Sequence, residues 1–344
     1  MIVTLTMNPA LDRTVTLTRP LAVGAVQSAE SAREDAAGKG VNVARVLRGA
    51  GAEVLAVLPL AADDPYARLS GDLPLRAVPV AAHARANLAI TDPDGETTKI
   101  NLPGPGLTRG EADALIDVVV AAADAADWLA LCGSLPPGVG PDFYLEVIEA
   151  VRDRASRPPR IAVDTSGDPL MHVVAHGHVD LIKPNEDELA DLLSKLHPAR
   201  GDAALDPAAP SAEQQRAALD GLRHRLRTQP VPTAAELAAF VVPLAVGAAL
   251  VTLGGDGAVL VTGDGAWHAG TPPVDVRSTV GAGDSALAGY LLADLAGEDP
   301  PGRLRSAIAY GSATAALPGT QLATPADLAA LDIATGAIPV RPIA

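Results

Sequence analysis

The chain is short of several things, and each shortage removes a class of function. Its 344 residues include a single cysteine, Cys132, which excludes an internal disulfide and leaves no cysteine cluster for a metal. Aromatic residues make up 2% of the chain, and 26 Lys and Arg stand against 41 Asp and Glu, for a net charge of −15. Nucleic acid and anionic membrane would be repelled by that field, so neither is expected as a partner. No apolar run is long enough to span a bilayer, and the N-terminus carries no charged-then-apolar leader, so a soluble cytoplasmic protein is expected. Two phosphate-binding patterns are missing as well. There is no G-x-x-x-x-G-K-[ST] loop, and no G-x-G-x-x-G follows the first strand.

What remains is a chain that is 48% hydrophobic, ample for a large core. Short β-branched runs (Met1 to Thr6, Val54 to Leu60, Trp128 to Cys132, Ile161 to Asp164) alternate with helical stretches. That alternation predicts an α/β fold with a mainly parallel sheet covered on both faces. Residues 13 to 36 and 84 to 107 instead alternate like exposed antiparallel ribbons, the second a hairpin around Asp94-Gly95. Between about 196 and 245 the sequence turns Pro- and Ala-rich and shows neither a dense apolar pattern nor a motif; a helix and loop elaboration remote from the chemistry is expected.

The densest chemistry lies in Arg277-Ser-Thr-Val-Gly-Ala-Gly-Asp-Ser285, which runs straight into an apolar helical pattern. Such a turn gathers free N–H groups and the positive end of a helix dipole. The amides of Gly281, Ala282, Gly283 and Asp284 can then converge on an oxyanion, and Asp284 beside them can take a proton from an attacking hydroxyl. The same residues also read as a plain helix cap. Asp12, just past the first strand, suits sugar hydroxyls or an ordinary turn. Gly38-Lys-Gly40 with Asn42 offers close approach, a cation and a hydroxyl partner ahead of a helix. Arg85 on the hairpin is either a phosphate clamp or an edge charge. Gly133-Ser134 follows a strand, at the ligand-facing rim of a parallel sheet. Asn185 and Glu188 can orient waters on Mg²⁺ or simply start a helix. The glycine-rich turn between Thr252 and Gly257 takes a phosphate or closes a hairpin.

Taken in order, seven blocks resemble the ribokinase-like carbohydrate kinases, in the phosphofructokinase B branch that includes 1-phosphofructokinase and tagatose-6-phosphate kinase. They are Thr4 to Asp12, Gly38 to Arg45, Lys99 to Pro105, Gly133 to Gly138, Lys183 to Glu188, Thr252 to Gly257 and Val280 to Ser285. The resemblance implies a ribokinase-like α/β/α sandwich, one kinase domain over 1–344, with a small β-sheet lid from about 13–36 and 84–103. It implies ATP and Mg²⁺, with Asp284 as base and Gly281, Ala282 and Gly283 as the anion hole. Asp12, Gly38, Asn42 and Ser134 would hold the sugar, and Lys39 and Arg85 its existing phosphate. Lys183, Thr252, Gly254, Gly257, Thr279 and Gly311 would line the nucleotide, while Asn185 and Glu188 would order Mg²⁺, through water. The implied reaction is γ-phosphoryl transfer to a phosphorylated ketohexose, fructose 1-phosphate first, with fructose 6-phosphate or tagatose 6-phosphate as alternatives. A catalytically silent sugar-phosphate binder is the reading from another class. Relatives pair through the lid, so a homodimer is expected. Ala37 departs from the family's usual glycine, and Val26-Gln-Ser-Ala29 lacks a basic residue that some 6-phosphofructokinases carry.

Overall fold

The computed structural model describes residues 1–94, 96–199, 212–333 and 338–343. The first half runs β1 (Ile2–Thr6), β2 (Ala10–Leu17), β3 (Ala29–Ala37), α1 (Lys39–Gly49), β4 (Val54–Leu60), α2 (Tyr66–Leu69), β5 (Leu75–Pro79), β6 (Arg85–Thr91) and β7 (Thr97–Asn101). There follow α3 (Arg109–Ala123), β8 (Trp128–Cys132), α4 (Phe143–Arg154), β9 (Arg160–Asp164), α5 (Asp168–His176), β10 (Leu181–Ile182), α6 (Glu186–Ala199), α7 (Ala212–Thr228) and α8 (Pro230–Ala245). The chain closes with β11 (Ala248–Thr252), β12 (Ala258–Thr262), β13 (Gly265–Ala269), α9 (Ala282–Leu295), α10 (Pro300–Ala315), α11 (Pro325–Ala330) and β14 (Val340–Ile343).

Ten strands form one sheet in the order β14-β13-β12-β11-β10-β9-β8-β1-β4-β5. From β5 to β11 all pairs are parallel, and β11 to β14 are antiparallel. Successive side chains of a strand point to opposite faces, and two cores result. Val3, Leu5, Leu129 and Leu131 pack against α3, α4, α5, α6 and α8. Ile2, Trp128, Ala130 and Cys132 pack against α1, α9 and α10. Covered on both sides, these strands carry the near-continuous apolar runs that made them readable.

The two ribbons join into a separate four-stranded sheet, β3-β2-β6-β7. Its β2 begins at Ala10, earlier than the alternation suggested, because Ala10 and Leu11 already pair with Ala37 and Ala36. The hairpin pairs as expected, Thr91 with Thr97, while Gly95 of its turn lies outside the described residues.

The expected helical elaboration is present as α7 and α8, but it is not apart from the core. The 196–245 stretch contains α8, whose Ala234, Leu237, Ala238 and Val241 are buried in the core of one face. Its apolar side is made mostly of alanine and is interrupted by Pro243, so the period is present with little hydrophobicity to mark it. The segment from 200 to 211 lies outside the described residues.

Functional residues gather at the carboxyl ends of the parallel strands, where open α/β sheets bind ligands. Asn8 follows β1, Ser134 follows β8, Asp164 ends β9 and Lys183 follows β10. Facing them is α9, a helix walled in by α1 and α10 and buried at nearly every position from Asp284 to Asp294. Glycines permit that closeness: a Cβ on Gly289 would meet the Ser306 carbonyl oxygen at 2.5 Å.

Candidate active site

The start of α9 is built by Gly281, which sits at φ 78° as its N-cap. Any other residue would be strained there, and its Cβ would strike Leu322 Cδ2 at 2.5 Å. The Ser285 N–H donates to the Gly281 carbonyl at 2.8 Å, so the amides of Gly283 and Asp284 precede the first intrahelical donor and stay free for an anion. The Ala282 N–H differs from expectation: it turns back toward the Thr279 carbonyl at 3.4 Å.

Asp284 is 7% exposed, and its Oδ2 accepts a 2.8 Å hydrogen bond from Asn42 Nδ2. Burial, then the nearby charge of Asp164, push its carboxyl up to about 6; Lys39, the Asn42 bond and Lys183 oppose the shift. Asn42 thus contacts the carboxylate that the sequence assigned to the chemistry, a partnership spanning 242 residues.

Asp164, read from the sequence only as a strand end, proves central. It is fully buried, with Lys39 Nζ at 2.8 Å from Oδ1 and Lys183 Nζ at 3.2 Å from Oδ2. Burial raises its carboxyl, but Lys183 and Lys39 outweigh that and hold it below the usual range. Burial likewise pulls the Lys39 ammonium down, and Asp164, Glu188 and Asp284 together more than reverse it. Lys183 Nζ lies 3.3 Å from where a Gly283 Cβ would stand, which places an ammonium against the helix start. Two cations and a helix N-terminus therefore converge within a protein of strongly negative net charge.

Asn185 and Glu188 start a helix. The Asn185 N–H donates to Glu188 Oε2 at 3.0 Å, and the Glu188 N–H donates to Asn185 Oδ1 at 2.8 Å, a reciprocal capping box. That leaves Glu188 Oε1, 3.6 Å from Lys39 Nζ, facing the same space.

That space is a cleft of about 1000 Å³. All the residues assigned to the nucleotide line it: Lys183, Asn185, Glu188, Thr252, Gly254, Gly257, Thr279 and Gly311, with Gly281, Ala282, Gly283 and Asp284. Lys39, expected at the sugar's existing phosphate, lines it too, beside Asp164 and Glu188. Motif reading missed its apolar wall, which includes Val274, Val276, Ala307 and Ile308, because scattered small apolar residues resemble any core. Gly254 is open to the cleft, with nothing within 4 Å of a Cβ position. Gly257 and Gly311 owe their identity to packing as well, since a Cβ would lie 1.9 Å from the Ala269 oxygen and 3.2 Å from the Ala282 oxygen, respectively.

Asp12, Gly38, Asn42, Arg85 and Ser134 do not line that cleft. They assemble where the small sheet meets the strand ends. Cross-strand register sets Asp12 beside Asn87 and Ala10 beside Arg85, and Asn87 Nδ2 donates to Asp12 Oδ1 at 2.8 Å. Burial raises the Asp12 carboxyl, partly offset by Asn87 and Arg85. Arg85 donates through Nη1 to the Leu102 carbonyl at 2.8 Å, and its Nε is buried without a partner. Asn8, another residue missed, donates to the Pro103 carbonyl at 3.1 Å and to Ser134 Oγ at 3.3 Å. Gly38 has φ 138°, and its Cβ would fall 2.7 Å from Thr6 Cγ2. Beside it Ala37 is buried, and its carbonyl accepts from Tyr66 Oη at 2.7 Å. The two sets of residues meet at the Asn42 to Asp284 bond.

A doubly wound sheet, an anion-binding helix start, a buried carboxyl with a raised pKa and two paired ammonium groups together define a phosphoryl-transfer enzyme. The chain belongs to the pfkB family of carbohydrate kinases, whose profile matches residues 5–327, and is an ATP-dependent sugar kinase. It is 34% identical to the 1-phosphofructokinase of Rhodobacter capsulatus, over 96% of this chain and 95% of that protein. It is 31% identical to the ATP-dependent 6-phosphofructokinase isozyme 2 of Mycobacterium tuberculosis, over 93% of this chain and 85% of that protein. Among solved structures, Escherichia coli phosphofructokinase-2 in complex with substrates and products superposes with a TM-score of 0.78 at 26% identity, covering 96% of this chain and 97% of the other. Among the described residues no helix is long and apolar enough to cross a membrane.

Proposed function

We propose that the chain transfers the γ-phosphoryl group of ATP to the free primary hydroxyl of fructose 1-phosphate, giving fructose 1,6-bisphosphate. The observation that carries this reading is Asp284, a carboxyl raised to about 6 at the mouth of an anion-binding helix. There it is ionised at neutral pH yet basic enough to accept a hydroxyl proton as the P–O bond forms. The amides of Gly283 and Asp284, with Lys183 and Lys39, face the charge that develops on the transferred group. Thr252, Gly254, Gly257, Thr279 and Gly311 form the nucleotide side, and Asp12, Gly38, Asn42, Arg85 and Ser134 the acceptor side.

Among the described residues no three His, Cys, Asp or Glu side chains converge as metal ligands. That suits Mg²⁺, which keeps several waters and leans on substrate phosphates. Glu188, through Oε1, and Asn185 are the hard oxygen groups that would hold it, through water. When bound, Mg²⁺ would neutralise phosphate charge and help align the phosphates for in-line transfer.

The acceptor is tested by comparing kcat/KM on fructose 1-phosphate, fructose 6-phosphate and tagatose 6-phosphate. Fructose 1-phosphate is expected to lead, because Val26-Gln-Ser-Ala29 lacks the basic residue that some 6-phosphofructokinases carry there; a higher value on fructose 6-phosphate would overturn the assignment in favour of the 6-phosphofructokinase reading. Arg85→Ala is expected to raise KM for the sugar phosphate roughly 10- to 100-fold, the weight of a charge-assisted hydrogen bond, and to leave KM for ATP within about twofold. Equal changes in both would remove Arg85 from the acceptor phosphate.

The small sheet is read as a lid that also joins two copies of the chain. Val23 and Val26 are almost wholly exposed, at 100% and 97%, and Leu21, Ile100 and Leu102 are exposed on the same sheet and its loops, an apolar set that invites a partner. A dimer is expected by light scattering, and Val23→Glu with Val26→Glu is expected to yield monomer. A monomeric parent would exclude the pairing. With its lone cysteine buried and an acidic surface, the enzyme fits the cytoplasm.

A further inference from the structure

We propose that Asn87 is a positioning residue of the acceptor site: it holds one carboxylate oxygen of Asp12 so that the other is presented to the sugar hydroxyls. This rests on the acceptor-site reading above, and Asn87 lies outside all seven motif blocks.

β2 and β6 pair in parallel, with Asp12 opposite Asn87, and alternate residues of a strand share a face. Arg85 and Asn87 therefore project on one side of the small sheet, beside Asp12. Four side chains influence the Asp12 carboxyl from the neighbouring strands: Asn87 and Arg85 from β6, Asp35 from β3 and Lys99 from β7. Arg85 Nη1 is committed to the Leu102 carbonyl. Asp35 is engaged through Oδ1 with Arg33 and through Oδ2 with Thr320. Among the described residues Asn87 alone hydrogen-bonds Asp12, at 2.8 Å.

The amide's orientation is forced. A carboxylate accepts only, so the Asn87 nitrogen must face Asp12 and its oxygen must face away. That oxygen is buried and has no hydrogen-bond partner. An unpaired buried polar atom is destabilising. Here the sheet tolerates an orphaned acceptor in order to keep a donor on Asp12. Asn8 shows the contrast. Its oxygen is orphaned too, but a Cβ on Gly104 would lie 2.4 Å from it, and its nitrogen bonds the Pro103 carbonyl and Ser134, so that amide ties loops together and holds no carboxylate.

The Asn87 bond has a chemical effect as well as a geometric one. Burial disfavours the Asp12 anion and Asn87 opposes that, so removing the amide lets Asp12 take up a proton at higher pH. A protonated Asp12 loses half of its capacity to accept from sugar hydroxyls.

The test is calorimetric titration of fructose 1-phosphate into the parent, Asn87→Leu, Asn87→Ser and Asp12→Asn proteins at pH 5.5 and 7.5, with KM for ATP measured on each. Both Asn87 variants are expected to bind the sugar phosphate roughly tenfold more weakly at pH 7.5 and to lose more than the parent does on going to pH 5.5, with KM for ATP within twofold. In the Asp12→Asn background, Asn87→Leu is expected to add no further pH dependence. Unchanged sugar binding in both Asn87 variants while Asp12→Asn weakens it would overturn the role of Asn87 alone. Unchanged binding in Asp12→Asn would overturn the acceptor site itself. An equal rise in KM for ATP would mark Asn87 as merely structural, and Asn87→Ser, the smaller change, supplies that reading if the leucine variant does not fold.

Discussion

Replacing Asp284 by Asn is expected to lower kcat by roughly 10²–10⁴ while leaving KM for ATP nearly unchanged. Asn keeps the size of the side chain and its contact with Asn42, and lacks only the ability to receive a proton. In the parent, kcat/KM should fall as pH drops through about 6, the value to which burial and Asp164 raise this carboxyl; in the variant that limb should vanish. Stability should move the other way. A carboxyl whose folded pKa is raised is harder to ionise in the native state than in the unfolded chain. No cost arises below the unfolded value near 3.8, where both states are protonated, and the full cost is present once the pH exceeds about 6. Asp284→Asn should therefore melt higher than the parent at pH 7.5, by at most about 3 kcal/mol, and match it near pH 4. Undiminished turnover in the variant would take the base role away from Asp284. A variant that is both inactive and less stable at pH 7.5 would mean that the carboxylate is needed for folding.

Asp164→Asn is expected to have the largest effect on stability, a loss of about 3–5 kcal/mol, the usual consequence of removing one partner from a buried charge pair. Two ammonium groups depend on this carboxylate, and Lys183, at 4% exposure, has little water to turn to. Urea unfolding with an unchanged m-value would measure the loss directly. A change below about 1 kcal/mol would show that water or Glu188 takes over. The sign with pH follows from the lowered Asp164 carboxyl: its stabilisation is present above the ordinary carboxylate value and is lost only as pH falls through the depressed one. The variant's deficit should accordingly persist from pH 5 upward.

How much of this was legible depended on how local the physics was. Gly281-Ala-Gly-Asp284 could be read because a helix start is written in consecutive residues, and the parallel strands because burial on both faces leaves uninterrupted apolar runs. Asn185 and Glu188 were legible for the same reason, although their capping bonds and their place on the cleft could not be told apart from letters alone. Asp164 was not legible as a hub, since its partner Lys39 is 125 residues away. Asn87 was hidden likewise, being tied to Asp12 across 75 residues by a strand register that no motif encodes. The apolar face of α8 was missed because alanine buries little area per residue and Pro243 interrupts the period. β14, four residues with a proline at 342, pairs with β13 at the sheet's edge, a place where strand propensity is a poor guide.

The packing of α9 against α1, α10 and the sheet has a consequence for where adjustment can occur. An element packed against α1, α10 and the sheet opens only when the whole body opens, so the Asp284 carboxyl it carries occupies a fixed point. Selection of an acceptor must then be set by what approaches that point. The anvil stays in place, and only the hammer can be exchanged.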